Sequence, residues 1–147
     1  MLYSPYLAEY VSGANAYLRR KSGIPTRLVE LIVLVSAREN NNQFKWAEHS
    51  VAGRKAGLDE KVLDIVKDRK PLTGLGEKEA AIIQLGRETL DKRKVSSDTF
   101  ARALKLFGKQ GLVNVVSVMG WEAQHNVLLT AFDQQVRPGE KVLLPIL

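Results

Sequence analysis

The sequence predicts an all-α fold, and three observations carry that prediction. Apolar residues recur at three- and four-residue spacing through most of the chain. Proline, serine, asparagine and aspartate stand where helices would begin, and glycine stands where several would stop. No stretch alternates apolar and polar residues over the length of a strand. A chain of 147 residues with 45% hydrophobic residues can bury a core as one domain. The expectation is a single-domain orthogonal helical bundle over residues 1–147, with about seven helices around a central helical hairpin.

The first helix is expected over residues 4–21, with Ser4 as cap and Pro5 at the first helical position. Leu7, Val11, Ala14 and Leu18 mark its apolar face. Gly23 and Pro25 then punctuate the chain. Residues 25–39 read as a second helix whose run of Leu28, Val29, Leu31, Ile32, Val33, Leu34 and Val35 leaves almost no polar side. A buried parallel strand shares that composition, but the length and the proline start favour a helix, and one apolar all round is a buried one. Glu39 to Asn42 form the turn. Residues 42–55 give the third helix, which Gly57 stops, and Asp59 caps a short fourth with Val62, Ile65 and Val66 inward. After the loop of residues 70–76, a fifth helix over 77–92 buries Ile82, Ile83 and Leu90. Ser96 or Ser97 opens a sixth with a stripe of Phe100, Leu104 and Phe107, broken by Gly108 and Gly111. The last helix spans about residues 112–132, and Pro138 and Gly139 open an extended tail.

Composition narrows the function classes. The chain has no cysteine, hence no disulfide, thiolate metal site or thiol redox chemistry. No apolar run reaches the length needed to span a bilayer, and the first residues lack the basic-then-apolar order of a signal peptide, so the expected address is the cytoplasm. The net charge is +6. The basic clusters, Arg19-Arg20-Lys21, Lys67 with Arg69-Lys70, and Lys92-Arg93-Lys94, fall at expected helix ends, where cations complement the carbonyl end of the helix dipole. None is interleaved with aromatics. They read as solvated helix ends, with neither nucleic acid nor membrane as a partner.

The chemistry concentrates in residues 25–58. Glu30 is a carboxylate set in an apolar helix, and His49 follows it after the polar turn. With a turn centred near Asn41, Glu30 lies about eleven residues before it and His49 about eight after, so in antiparallel helices their heights differ by about 5 Å. Asn42, Lys45, Trp46 and His49 share a face of the third helix by three- and four-residue spacing, and Arg38 shares the face of Glu30. Glu30, Lys45 and His49 therefore converge. A carboxylate among aliphatics has its pKa pushed up unless a cation partners it, and His49 can be that partner and an acid or base near neutral pH. The alternative is a buried pair that merely satisfies itself. A metal is not expected. His49 and His125 are the only histidines, no H-x-x-x-H spacing occurs, and a Glu30–His49–His125 set needs the last helix to cross the hairpin. His125 lies on a stripe with Trp121, Leu128 and Phe132 that fits a core or subunit interface, and Gly120 beside it marks a close helix approach.

Glu30 in its apolar helix, Trp46-Ala47-Glu48-His49, Ala56-Gly57-Leu58 and the capping Asp59 together resemble the carboxymuconolactone decarboxylase family, within the alkylhydroperoxidase D-like superfamily. The acidic opening of the fifth helix, Val95-Ser96-Ser97-Asp98 and the stretch from Asn126 to Phe132 are similar too. The likeness covers nearly the whole chain and is specific over the second to fourth helices. It implies an all-helical fold that assembles into homo-oligomers (dimer, trimer or hexamer), with the Glu and His at the active site. The peroxidase branch carries a Cys-x-x-Cys pair between them, and the matching positions here are Asn42 and Lys45. Since peroxide reduction there rests on a thiolate, the resemblance favours the cysteine-less branch. The chain also begins at what resembles an internal helix of longer relatives.

The function expected is cofactor-independent acid–base chemistry, decarboxylation or isomerisation, on a small carboxylated or lactone-like molecule. Glu30 and His49 are the candidate catalytic residues. Lys45, Arg38, Asn42 and Trp46 are the candidate substrate-binding residues, with Lys45 or Arg38 holding a carboxylate. An alkylhydroperoxidase-like oxidoreductase and a non-catalytic oligomer that kept the fold are the alternatives.

Overall fold

Helix α2, Thr26–Glu39, is the pillar of the structure. Every residue from Leu28 to Arg38 along it is buried, so the near-absence of a polar side in the sequence has its expected consequence. It packs against α3 (Gln43–Lys55), α5 (Glu77–Gly86) and α6 (Ser97–Ala131), with lighter contact to α1 (Pro5–Arg20) and α4 (Glu60–Lys67). Each fully buried leucine, isoleucine or valine on it contributes about 1.5–3 kcal/mol by burial. These elements come from a computed structural model that describes residues 4–139 and 144–145. Among the described residues there is no strand, and no helix is long and apolar enough to cross a membrane.

The hairpin α2–α3 forms as the sequence predicts. Asn41 takes the left-handed conformation (φ 51°), and the Asn42 N–H bonds the Ala37 carbonyl at 2.8 Å, which turns the chain back in three residues. Asn42 then caps α3, its side chain accepting the Lys45 N–H at 2.9 Å. Asp59 and Ser96 cap α4 and α6 in the same way, at the Lys61 and Thr99 N–H groups. Ser4 occupies the cap position of α1 but makes no capping bond with its side chain.

Several local expectations are corrected. On α1 only Val11 and Leu18 are buried, while Leu7 and Ala14 face outward. Helix α5 ends at Gly86 and continues as a π-helical turn, Arg87–Asp91, in which the Lys92 N–H reaches the Arg87 carbonyl. Leu90 is consequently only half-buried. Glu88 occupies the inside of that turn instead. The close helix approach lies at Gly86, where a Cβ would collide with Val35, and not at Gly120, which is exposed with nothing near it. Gly108 breaks α6 as expected (φ 68°, ψ 175°), so with the two segments of α6 there are seven helical rods among the described residues. Gly111 stays helical. Phe100 is 51% exposed and Ala103 is the buried residue of that turn. The expected tail lies partly outside the described residues. Leu144, however, is buried in the core, and the Gln43 side chain holds both its N–H and its carbonyl.

Candidate active site

The hairpin brings Glu30 and His49 into direct contact: His49 Nδ1 lies 2.7 Å from Glu30 Oε2. A carboxylate only accepts, so Nδ1 carries the hydrogen and the Nε2 lone pair points away from Glu30. Among the described residues Nε2 has no hydrogen-bond partner. The other Glu30 oxygen accepts from the Arg19 guanidinium at 3.1 Å. Burial alone would raise the Glu30 carboxyl. The hydrogen bond and charge of His49, followed by Arg19, more than offset it, so the group sits below the ordinary carboxylate range. Glu30 is thus an ionised carboxylate, because two cationic or polarisable partners meet it.

Lys45, one turn before His49 on the same face of α3, points its ammonium at Glu122 Oε2, 2.8 Å away. The other Glu122 oxygen accepts from Arg19 at 3.2 Å. Arg19 therefore bridges Glu30 and Glu122 with its two terminal nitrogens, and is steadied by Asn15 at 3.1 Å. The Glu122 side chain is 2% exposed and that of Lys45 13%. The five groups are drawn from four helices, α1, α2, α3 and α6.

Arg19 and Glu122 were not singled out in the sequence. Arg19 sits in a cluster that reads as a solvated helix end, and Arg20 and Lys21 are indeed exposed, but Arg19 turns inward. Arg69 departs from that reading as well, pairing with the buried side chain of Glu39. For Glu122 a signal existed: it continues the buried series Val115, Val118, Met119 and Asn126, the same carboxylate-in-an-apolar-stripe pattern that marks Glu30.

The other candidates have separate places. Arg38, expected beside a substrate carboxylate, is 1% exposed and bonds the Pro145 carbonyl at 2.8 Å and Asn41 Oδ1 at 2.7 Å. It lies two turns along α2 from Glu30, about 12 Å away, with its guanidinium committed to the tail and the turn. Trp46 packs in the hydrophobic core. Asn42 is the cap of α3 and lines a cavity of about 240 Å³ together with Asn41, Phe44, Leu129 and Thr130. His125 is not a partner of Glu30. Its ring meets that of Trp121 edge-on at 4.8 Å and its Nδ1 bonds the Trp121 carbonyl. Burial, and then the charge of Lys45, push His125 below its ordinary pKa. Among the described residues no group of three His, Asp or Glu side chains is placed to hold a metal ion.

No protein-family model matches the chain, and no curated protein matches it. Among solved structures, the chain is similar to a crystal structure of a protein of unknown function from Agrobacterium tumefaciens, suggested there to be the antioxidant defence protein AhpD. The two share 20% identity and superimpose with a TM-score of 0.81, over 93% of this chain and 97% of that one. At that identity the likeness shows the fold: an all-helical, alkylhydroperoxidase D-like bundle.

Proposed function

We propose that the chain is a cofactor-independent enzyme of the carboxymuconolactone decarboxylase type, acting by acid–base catalysis on a small carboxylated or lactone substrate. The observation that carries this reading is the Glu30–His49 pair, held at 2.7 Å with Nε2 open and the Lys45 ammonium one turn away. Glu30, kept ionised by its partners, fixes the His49 tautomer and stabilises the imidazolium once Nε2 has taken a proton. Lys45 offers its remaining N–H donors to a substrate carboxylate or a developing enolate. In a decarboxylation the bond to the leaving CO₂ breaks and its electron pair passes into an enolate; His49, which has first taken a proton from solvent on Nε2, gives that proton to carbon. In an isomerisation the same nitrogen delivers its proton to one carbon and then takes up the proton that leaves another.

The peroxidase chemistry associated with the AhpD description rests on a thiolate, and this chain has none. That favours the lyase or isomerase reading over the oxidoreductase one. Homo-oligomer formation fits the apolar groove along α6, where Phe100, Val113 and Val116 stay exposed beside Leu104 and Leu112. A cytoplasmic site of action is part of the same proposal.

The test is turnover of a panel of lactone acids by the wild type, His49→Ala and Glu30→Gln. General acid–base groups typically contribute about 10²–10⁴-fold, so each variant is expected to lose turnover on that scale. Full turnover in both variants overturns the assignment.

A further inference from the structure

We infer that Arg19 and Glu122 are positioning residues of this site, closing a charge-balanced ring with Glu30, His49 and Lys45 that admits an anionic ligand only together with a proton. The inference rests on the reading of Glu30 and His49 as the acid–base pair and adds to it the ligand's charge and the means by which it is selected.

The ring can be followed atom by atom. His49 Nδ1 meets Glu30 Oε2 at 2.7 Å, and Glu30 Oε1 meets Arg19 at 3.1 Å. Arg19 meets Glu122 Oε1 at 3.2 Å, and Glu122 Oε2 meets Lys45 Nζ at 2.8 Å. Lys45 and His49 are four residues apart on α3, their Cβ atoms about 6 Å from one another, so the backbone of α3 completes the loop. Each carboxylate oxygen has its own partner. Arg19 keeps a second N–H on each terminal nitrogen, but both nitrogens already face a carboxylate. On α3 the Nε2 lone pair of His49 and the remaining N–H donors of Lys45 stay open one turn apart, and an anionic ligand engages the ring at that end.

Charge then decides what that ligand is. Arg19 and Lys45 carry two positive charges, Glu30 and Glu122 two negative ones. With neutral His49 the ring sums to zero. A carboxylate placed on Lys45 would leave one uncompensated negative charge among groups that are largely withdrawn from water, where such a charge is costly. Protonation of His49 restores the balance and turns Nε2 into a second donor for the anion. Among the described residues, the titratable groups beside this pair do not take that role. His125, on α6 near Lys45, has its pKa pushed down by burial and by that ammonium. On α3, Glu48 is next to His49 but faces out to Arg137 of the tail, at 2.6 Å. The filled state is therefore a monoanion with imidazolium, and Glu122 sets that stoichiometry. Were Glu122 neutral, the ring would already carry the positive charge that the anion needs.

The experiment is a carboxylate titration followed by NMR of the histidine rings, with acetate, benzoate and 5-oxotetrahydrofuran-2-carboxylate as probes across pH 5.5 to 9. The chain has only two histidines, so His125 serves as the internal control. In the wild type the probe should shift the His49 signals, and its affinity should fall about tenfold per pH unit on the alkaline side, the slope for uptake of one proton. Glu122→Gln should flatten that slope to near zero and retain binding at high pH. Lys45→Gln should lose binding at every pH, and Arg19→Lys, which keeps the charge, should keep the slope. A flat wild-type profile, an unaltered slope in Glu122→Gln, or no response of His49 to any of the probes overturns the ring. Should Glu122→Gln fail to fold, the wild-type slope and the Lys45→Gln titration decide alone. This outcome separates from the catalytic reading. A flat profile with His49→Ala inactive on lactone acids removes the ring and leaves the enzyme. A proton-linked slope with His49→Ala fully active does the reverse.

Discussion

Glu30 and Glu88 are both buried carboxylates held below their ordinary range, and they are held there by opposite means. Glu88, inside the π-helical turn, accepts from the Ser96 N–H at 2.8 Å, the Gln84 amide at 2.7 Å and the Thr99 hydroxyl at 3.0 Å. These bonds, led by the Ser96 backbone, pull it to about 2 against the opposing effect of burial. Every one of those donors is neutral, Ser96 and Thr99 fixed by the start of α6 and Gln84 by the last turns of α5. Glu30 is met by an imidazole and a guanidinium. A carboxylate clamped by neutral donors ties two elements together and does nothing else. One that shares a proton-carrying partner can follow a reaction. The same depressed pKa thus accompanies a joint in one place and a candidate catalytic group in the other, and only the partners tell them apart.

The largest effect expected from this contrast is in stability. Glu88→Ala removes the acceptor for the N-terminus of α6 and should cost about 2–3 kcal/mol, read by urea unfolding, while leaving the His49 ring signals in place. The pH dependence has a definite sign. A carboxyl lowered from 4.5 to about 2 by folding contributes fully above pH 4.5, and that contribution drains away as the pH falls from 4.5 towards 2. Glu88→Ala should therefore lose the part of the acid-unfolding transition that lies in this window. A variant that unfolds as the wild type does, or whose main defect is in turnover, would break the comparison.

A smaller effect is expected at Asn42. It stands at a position that the family resemblance places in the active site, yet its side chain is spent on the Lys45 N–H. Asn42→Ala should cost about 1 kcal/mol, the usual loss for a helix cap, and Asn42→Asp should recover most of it. Loss of substrate affinity in Asn42→Asp, with stability intact, would move Asn42 from the group of fixed joints to the group that meets ligand.

How much of this was legible follows the same division. The α2–α3 hairpin was readable because its signals are local: an apolar run, a cluster of asparagines, and Gly57 with the capping Asp59 beyond it. Glu30 and His49 were readable because helical rise alone fixes their heights. Arg38 misled, because periodicity gives the face of a helix but not what the neighbouring tail offers, and the Pro145 carbonyl claimed it. Arg19 was hidden by its basic neighbours. Glu122 lies so far along the chain that only the packing of α6 and α3 on the same pillar, α2, brings it to Lys45. The π-helical turn was invisible for a related reason: Glu88 is drawn inward by Ser96 and Thr99, which belong to the next helix.

The smallest effect is expected at Glu39, which tests whether partners or burial set the sign. Glu39 lies at the far end of α2 from Glu30, its side chain 2% exposed and paired with Arg69. Burial raises it, and Asp91 adds to that, while Arg69 and Arg87 pull it down without prevailing, so it ends above the ordinary range. A raised carboxyl is one whose ionised form folding disfavours. Its penalty is present above the folded pKa and is relieved as the pH falls through that value towards 4.5, opposite in sense to Glu88. Arg69, a third exposed, also has Asp91 at 3.5 Å, so it is not stranded when Glu39 is neutralised. Glu39→Gln should then change stability by less than about 1 kcal/mol, with the gain from removing a buried charge offsetting most of the lost pair. A cost as large as that of Glu88→Ala would mean that the Arg69 pair, like the neutral clamp on Glu88, is a joint of the fold.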